Sequence, residues 1–422
     1  MCKVFHSFIF FSFLFCAGSL WAGTETGGNM PWRTITHCQN AIGATNFVSD
    51  GNSLAVSNGT SWVKFWLGRK KCEVNGVTVW LNSAATGNPA DGSWRLNGRD
   101  FDLLHLGILS PKAGTNRTLR VLVDAGHGGS DGGAISKDKM LLEKDVTLSI
   151  AQELGALLAT NGFAVCYSRT NDVDVSLSRR VQLAAENHTD LFVSVHVNKA
   201  KNTQACGIET YLLPSSGFPG TAEGSSNRGW QPGNRNDYFN VMLGYSIQKR
   251  LIAGMADLDR GLKRQSFYVL RGICCPAVLV EVGFLSNQSE AADMMQAEWR
   301  RKKAEAIYQG IVDYASRMAS LEKIVEEKRQ SDEESNRRWR AHLESLRNKQ
   351  LAGTQTETNA AVTVPAAPVA VPVTNSVPPV QPPVPKPRQN AHEKPAAKED
   401  RAGDGEKTMS ELLDFYGVER VH

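Results

Sequence analysis

Between residues 118 and 320, short apolar runs alternate with stretches of helical spacing. Residues 119–124, 163–168, 191–195 and 277–282 are apolar runs of strand length. Residues 144–160 place Val146, Leu148, Ile150, Leu154, Leu157 and Leu158 at helical intervals, and residues 181–185 and 241–253 follow the same period. Gly162 separates the first of these helices from the strand after it. Strands alternating with helices predict an α/β domain built on a mainly parallel sheet.

The flanks carry other patterns. Residues 62–67 are apolar except for Lys64, rich in aromatics and ended by Gly68, as expected of a strand. Residues 71–81 hold Asn75 and Gly76 between two apolar stretches, the strongest short-range signal for a β-hairpin. Residues 23–115 therefore form a small β-rich module, and the absence of a charged or nucleophilic cluster gives it a binding or spacer role. Residues 321–350 mix both signs of charge and read as an exposed helix, in which Ile324, Val325, Trp339, Leu343 and Leu346 hold no heptad. Residues 351–408 are rich in Pro, Ala and Val and stay extended as a linker. Residues 409–422 end the chain with Leu412, Leu413, Phe415 and Tyr416, a docking peptide for a protein partner or simply a frayed terminus.

The first residues bear on compartment. Lys3, an apolar run over 4–15 and small residues leading to Ala22 have the layout of a secretory signal peptide, residues 1–22. That run is too short for a permanent membrane span, and Phe15 before Cys16 disfavours lipidation. The protein is expected outside the cytoplasm, periplasmic or associated with the cell wall. A net charge of only +4 gives no case for nucleic acid. Of the 8 cysteines, Cys2 and Cys16 fall in the leader, which leaves six. An oxidising compartment permits disulfides, and Cys38 with Cys72 is the first pairing to test. There is no CxxC pair to build a structural zinc site.

Four residues in the α/β domain carry chemistry. His127 lies in a glycine-rich turn after the first strand, Glu143 opens the following helix, and His196 ends the strand at 191–195. Two imidazoles and a carboxylate are the ligand set of a catalytic zinc site, in which the fourth position is left for water. Glu281 interrupts an apolar strand, where a carboxylate is costly unless it reaches an open site. It is assigned the proton transfers, although spacing alone allows Glu143 and Glu281 to exchange roles. A dinucleotide site is disfavoured because Asp131 stands where a third glycine is required, and there is no P-loop.

Residues 121–129 (VLVDAGHGG), 142–146 (LEKDV), 190–198 (DLFVSVHVN) and 276–287 (PAVLVEVGFLSN), with 168–170 and 177–180 between them, resemble the motifs of the zinc-dependent N-acetylmuramoyl-L-alanine amidases, the amidase 3 family. The resemblance covers residues 116–320 and implies a doubly wound sheet with flanking helices. It implies zinc held by His127, Glu143 and His196, Glu281 as the catalytic glutamate, and peptidoglycan as substrate. Ala125 and Val197 replace a usual proline and alanine without removing a ligand. Some family members plug the zinc site with a helix. Residues 214–240, rich in Gly, Ser and Asn, do not look helical, and are expected to border the substrate cleft with Trp230, Asn236 and Tyr238. Residues 71–81 are also similar, over a short stretch, to the copper amine oxidase N-terminal-like modules attached to some exported wall enzymes. Two other readings stay open: a different exported zinc hydrolase (a peptidase or deacetylase), or a non-catalytic wall-binding scaffold.

Overall fold

The computed structural model describes residues 32–358, except 89–92, 116, 139, 223–224, 226–228 and 255–256, with backbone alone for 349–358. The expected signal peptide, the linker beyond residue 358 and the C-terminal segment lie outside the described residues.

The N-terminal part opens with β1 (Arg33–Thr34) and α1 (Ile35–Ile42). An antiparallel meander follows: β2 (Asn46–Ser49), β3 (Ser53–Ser57), β4 (Trp62–Trp66), β5 (Lys71–Val74) and β6 (Val77–Trp80). Asn75 and Gly76 link β5 to β6 with φ of 49° and 88°, the positive pair that the tight hairpin turn requires. β7 (Arg95–Leu96) pairs with β1, and α2 (Gly98–Leu104) runs on through one wider turn to Leu109. Strand alternation sorts the side chains. Val63, Phe65, Cys72, Val74, Val77 and Val79 are buried with Ile35, Cys38 and Phe101 from α1 and α2. The expected Cys38–Cys72 bridge is not made: both are buried free thiols, and burial pushes the Cys38 thiol up to about 12.

The second part alternates as expected: β8 (Arg120–Ala125), α3 (Glu143–Thr160), β9 (Ala164–Tyr167), α4 (Leu177–Glu186), β10 (Leu191–Asn198), β11 (Ile208–Leu212), α5 (Asp237–Gly254), β12 (Asp259–Arg264), α6 (Tyr268–Gly272), β13 (Ala277–Phe284), α7 (Gln288–Met295) and α8 (Ala297–Thr358). β9, β8, β10 and β13 are parallel neighbours; β11 is antiparallel to β13 and parallel to β12. β6 pairs with β12 through Val79 and Leu262, so the N-terminal meander and the α/β strands share one 11-stranded sheet among the described residues. One face packs Val123, Val193, Val195 and Val280 against α3, α5 and the first part of α8. The other packs Leu122, Phe192 and Leu279 against α4 and α6. Strands covered on both faces read as unbroken apolar runs, which is why β8, β10 and β13 were visible in the sequence.

The charged helix expected over 321–350 belongs to the longer α8. From Glu326 onward its residues form a second compact unit. There, Arg329 pairs with Glu326 and Glu333, Lys328 with Asp332, and Arg338 with Glu334, a ladder of neighbours three and four apart. No helix among the described residues is long and apolar enough to cross a membrane.

Candidate metal centre

The site forms where the carboxyl ends of β8 and β10 meet the start of α3. The chain leaves β8 through Gly126, and a β-carbon there would overlap the His196 ring. His127 follows with φ of 59°, a left-handed conformation unusual outside glycine. Gly133, with φ of +67°, brings the returning loop so close that a β-carbon would lie 2.6 Å from Glu143 Oε2 and 2.7 Å from His127 Cδ2. Glu143 is the first residue of α3, where the helix dipole favours a carboxylate. The amides of Ala134 and Val197 donate to its Oε2 and Oε1 at 2.8 and 2.9 Å.

The two imidazoles flank that carboxylate. His127 Nε2 lies 3.2 Å from Glu143 Oε2, and His196 Nδ1 lies 3.0 Å from Oε1. One ligand atom from each of the three residues falls within 4.8 Å of the others, and all three residues are buried. Bonds of about 2.0–2.1 Å to a tetrahedral zinc place neighbouring ligand atoms about 3.3 Å apart, so the donor set has the chemistry and the compactness to take such an ion. Burial alone would lower the proton affinity of His127, but the Glu143 and Asp131 carboxylates outweigh it and raise its pKa to about 10. At His196 burial dominates and lowers the pKa. Burial opposes the charged form of Glu143, yet the two imidazoles hold its pKa well below the usual carboxylate range.

The surroundings fix these three side chains. Asp131 Oδ2 lies 2.7 Å from His127 Nδ1, which orients the ring with Nε2 inward. Lys144 bridges the Gly129 carbonyl and Asp172, and Asp174 accepts from the amide and hydroxyl of Ser130. Beneath the loop, Arg180 pairs with Asp124 and donates to the carbonyls of Ala125 and His127. Ser194 completes the set by donating to Asp124 at 2.6 Å. A cleft of about 760 Å³ opens beside His127 and His196, bordered by Asp131, Asp174, Leu177, Arg179 and Val269.

Glu281 stands opposite His196 in the β10–β13 register and opposite Glu209 in the β11–β13 register. The three side chains share one row and one face. Glu209 is buried with Arg260 beside it, Lys263 at 2.9 Å and the Tyr211 hydroxyl at 2.5 Å. Burial would raise its pKa, but Lys263 and Arg260 together lower it. The charge next to Glu281 is thereby matched by two cations.

The family model described as N-acetylmuramoyl-L-alanine amidase matches residues 121–313, a span that contains all four residues. The N-acetylmuramoyl-L-alanine amidase AmiA of Escherichia coli K12 is 30% identical over 237 residues, covering 49% of this chain and 80% of AmiA. The chain belongs to the N-acetylmuramoyl-L-alanine amidase family. By family it is a hydrolase of the peptidoglycan cell wall. The uncharacterized protein YqiI of Bacillus subtilis strain 168 is 36% identical over 194 residues, 46% of this chain and 84% of YqiI. The amidase LytC of that strain is also 36% identical over 194 residues, 46% of this chain, but the match spans only 35% of LytC.

Within this amidase the structure gathers His127, Glu143, His196 and Glu281 at one end of the sheet. It does not gather the loop residues expected at the cleft. Asn236 donates to the carbonyl of Cys274, which precedes β13 at the end away from Glu281. Tyr238 lies under the Arg99 guanidinium of α2, 5.1 Å from its ring centre, and helps dock the N-terminal strands. Trp230 is 54% exposed. Part of the stretch expected to be irregular is helical: a tight turn at Pro232–Asn236 leads into α5. The sequence reading passed over Asp131, noticed only as a missing glycine. Its place four residues after His127 was the available signal. Nothing local marked Glu209 or Asp124.

Proposed function

We propose that the protein cuts the amide between the lactyl group of N-acetylmuramic acid and L-alanine, with zinc held by His127, Glu143 and His196 and with Glu281 moving the protons. The observation that carries this reading is one arrangement: three donor atoms within 4.8 Å of one another, with Glu281 in register beside His196. Zinc bound there would polarise a water and the scissile carbonyl. Glu281 accepts the proton from the attacking water and delivers it to the leaving L-alanine nitrogen. Glu143, pinned by two backbone amides, lies between the two imidazoles and contacts both. Asp131 holds His127 in the tautomer that presents Nε2.

The leader-like first residues and a substrate that lies outside the cytoplasm support export to the periplasm or wall. Residues 23–115 and 116–320 serve as the β-rich and catalytic parts. Residues 409–422 act as a partner-docking segment, and their deletion should change placement in the cell but not activity in solution.

The deciding experiment is digestion of purified sacculi by the protein lacking residues 1–22, with zinc or with a chelator, followed by mass spectrometry of the soluble products. Zinc-dependent release of stem peptides with a free L-alanine amine is expected. Release of acetate or of shortened stems would move the protein to a different hydrolase class. Binding to sacculi at full zinc occupancy without any release would make it a scaffold.

A further inference from the structure

The register of the shared sheet carries the row of the metal site into the N-terminal strands. His196 on β10, Glu281 on β13 and Glu209 on β11 face Gly261 on β12. β12 pairs with β6 through Leu262 and Val79, which puts Lys263 beside Trp80, and the Lys263 ammonium sits 5.9 Å from that ring. From β6 the pairing continues to Glu73 and Lys71 on β5, then from Glu73 to Lys64 on β4, and Lys71 lies over the Trp66 ring. β4 buries Val63 and Phe65 and turns Trp62, Lys64 and Trp66 the other way. Trp62, Lys64, Trp66, Lys71 and Trp80 therefore stand on the same face of the same sheet as Glu281. Strands lie about 4.8 Å apart, so Trp80 is about 14 Å and β4 about 24 Å from the Glu281 strand.

This face presents aromatic and basic side chains side by side. Trp62 is 37% exposed, Lys71 is exposed, and Trp66 carries Lys64 and Lys71 at 5.4 and 5.7 Å from its ring. An alternating strand presenting two tryptophans on its outer side gains nothing from the core for them. Flat aromatic faces, electron-rich at the centre, match the C–H face of a pyranose ring. The lysines add charge complementarity, opposed on these strands by Glu73, which lies across from Lys64. Hydrolysis at the lactyl carbonyl turns a neutral amide into a carboxylate. Each muramic acid that has been cut thus leaves the site with one negative charge that it lacked on arrival.

We propose that the outer face of β4–β6 is a carbohydrate-binding surface that holds the glycan strand of peptidoglycan after its stem peptides have been removed. Trp62, Trp66 and Trp80 stack on its sugars, and Lys64 and Lys71 meet its new carboxylates. This rests on the amidase reading above and adds to it a subsite for the product strand, which keeps the enzyme on a chain while neighbouring stems are cut.

The test uses the full mature chain and two double variants, Trp62→Ala with Trp66→Ala, and Lys64→Gln with Lys71→Gln. A third, Trp62→Phe with Trp66→Phe, retains flat rings and serves as rescue. Co-sedimentation with peptide-free glycan strands reads the surface independently of catalysis. The alanine pair should bind about tenfold more weakly, the phenylalanine pair should recover most of that, and the glutamine pair should lose the salt dependence of binding. With sacculi as substrate the alanine pair should raise KM and leave kcat unchanged. A single muramyl peptide, too short to reach β4, should be cut at the wild-type rate. Equal binding of stripped strands by wild type and the alanine pair overturns the surface, as does binding to stem peptides alone. If wild type cuts neither substrate, the amidase reading fails, and the sedimentation series still decides whether the surface exists.

Discussion

Asp131 tests how the metal site is held. Its Oδ2 sits 2.7 Å from His127 Nδ1 and its Oδ1 accepts from the Gly133 amide at 3.1 Å, so one carboxylate orients the ring and pins the loop that passes behind it. Asp131→Ala removes both contacts while leaving all three ligands. Loss of such an outer carboxylate costs 10- to 100-fold in metal affinity, or about 1.4–2.7 kcal/mol. A second effect works against the first. Asp131 is one of the two carboxylates that raise His127 to about 10, and the proton they hold must leave before the metal binds. Without Asp131 that proton is easier to expel. The affinity deficit should therefore be full only above the raised wild-type value of about 10 and shrink below it, where wild type has more proton competition to overcome than the variant. Asp131→Asn, which keeps an acceptor but no charge, should fall between. Competitive titration against a fluorescent zinc chelator over a pH series measures all three proteins. Alanine affinity within about twofold of wild type above about pH 10, where proton competition is gone from both proteins, against the expected 10- to 100-fold loss, would refute the orienting role.

Other consequences are as direct. Glu281→Gln should keep full zinc content by elemental analysis yet release stem peptides about 10²- to 10⁴-fold more slowly. Gly126→Ala places a methyl group in the His196 ring, so the variant should purify folded by circular dichroism but deficient in zinc. Arg180→Met strands the buried Asp124 carboxylate and should cost about 3–5 kcal/mol in denaturant unfolding. The pH dependence follows from Asp124. Burial favours its neutral form, but Arg180 and the hydroxyls of Ser168 and Ser194 prevail and lower its pKa. Its contribution to stability is thus present above the ordinary carboxylate pKa and lost as pH falls through the depressed folded value. Wild type should lose stability across that acid window, and Arg180→Met should lose much less there; parallel unfolding curves would contradict the assignment.

The sequence exposed those parts of the molecule whose signal is local. β8, α3, β10 and β13 declare themselves by apolar runs and period, and the three candidate ligands and Glu281 lie at or near their ends. β12 stayed hidden because Asp259, Arg260, Lys263 and Arg264 make it look like a loop. It is a strand because Glu209 neutralises Arg260 and Lys263, and because Asp259 accepts from the Thr78 amide and the Gln248 side chain. None of those partners is near in sequence. The same holds for Asp124 and Arg180, 56 residues apart yet in contact. The loop residues Asn236 and Tyr238 looked like substrate contacts by composition, but the antiparallel run of β11 carries the chain back to the other end of β13 before they occur.

The hidden β12 also ties the N-terminal strands to the surroundings of Glu281. An unpaired edge strand beside the site would leave a row of amides and carbonyls open. β6 covers that edge, the Trp80 indole donates to the Arg260 carbonyl at 3.2 Å, and the Thr78 amide donates to Asp259 at 2.7 Å. Arg260 and Lys263 are thereby held against Glu209, and Glu209 lies next to Glu281. The proposed role of Glu281 as a base needs its charged form, and an unmatched like charge in the adjacent position disfavours that form. A fragment beginning at residue 116 would keep all four chemistry-bearing residues and lose the strand that fixes their electrostatic surroundings. On the proposed mechanism the N-terminal strands therefore support the site through β12, in addition to the glycan proposed for their outer face.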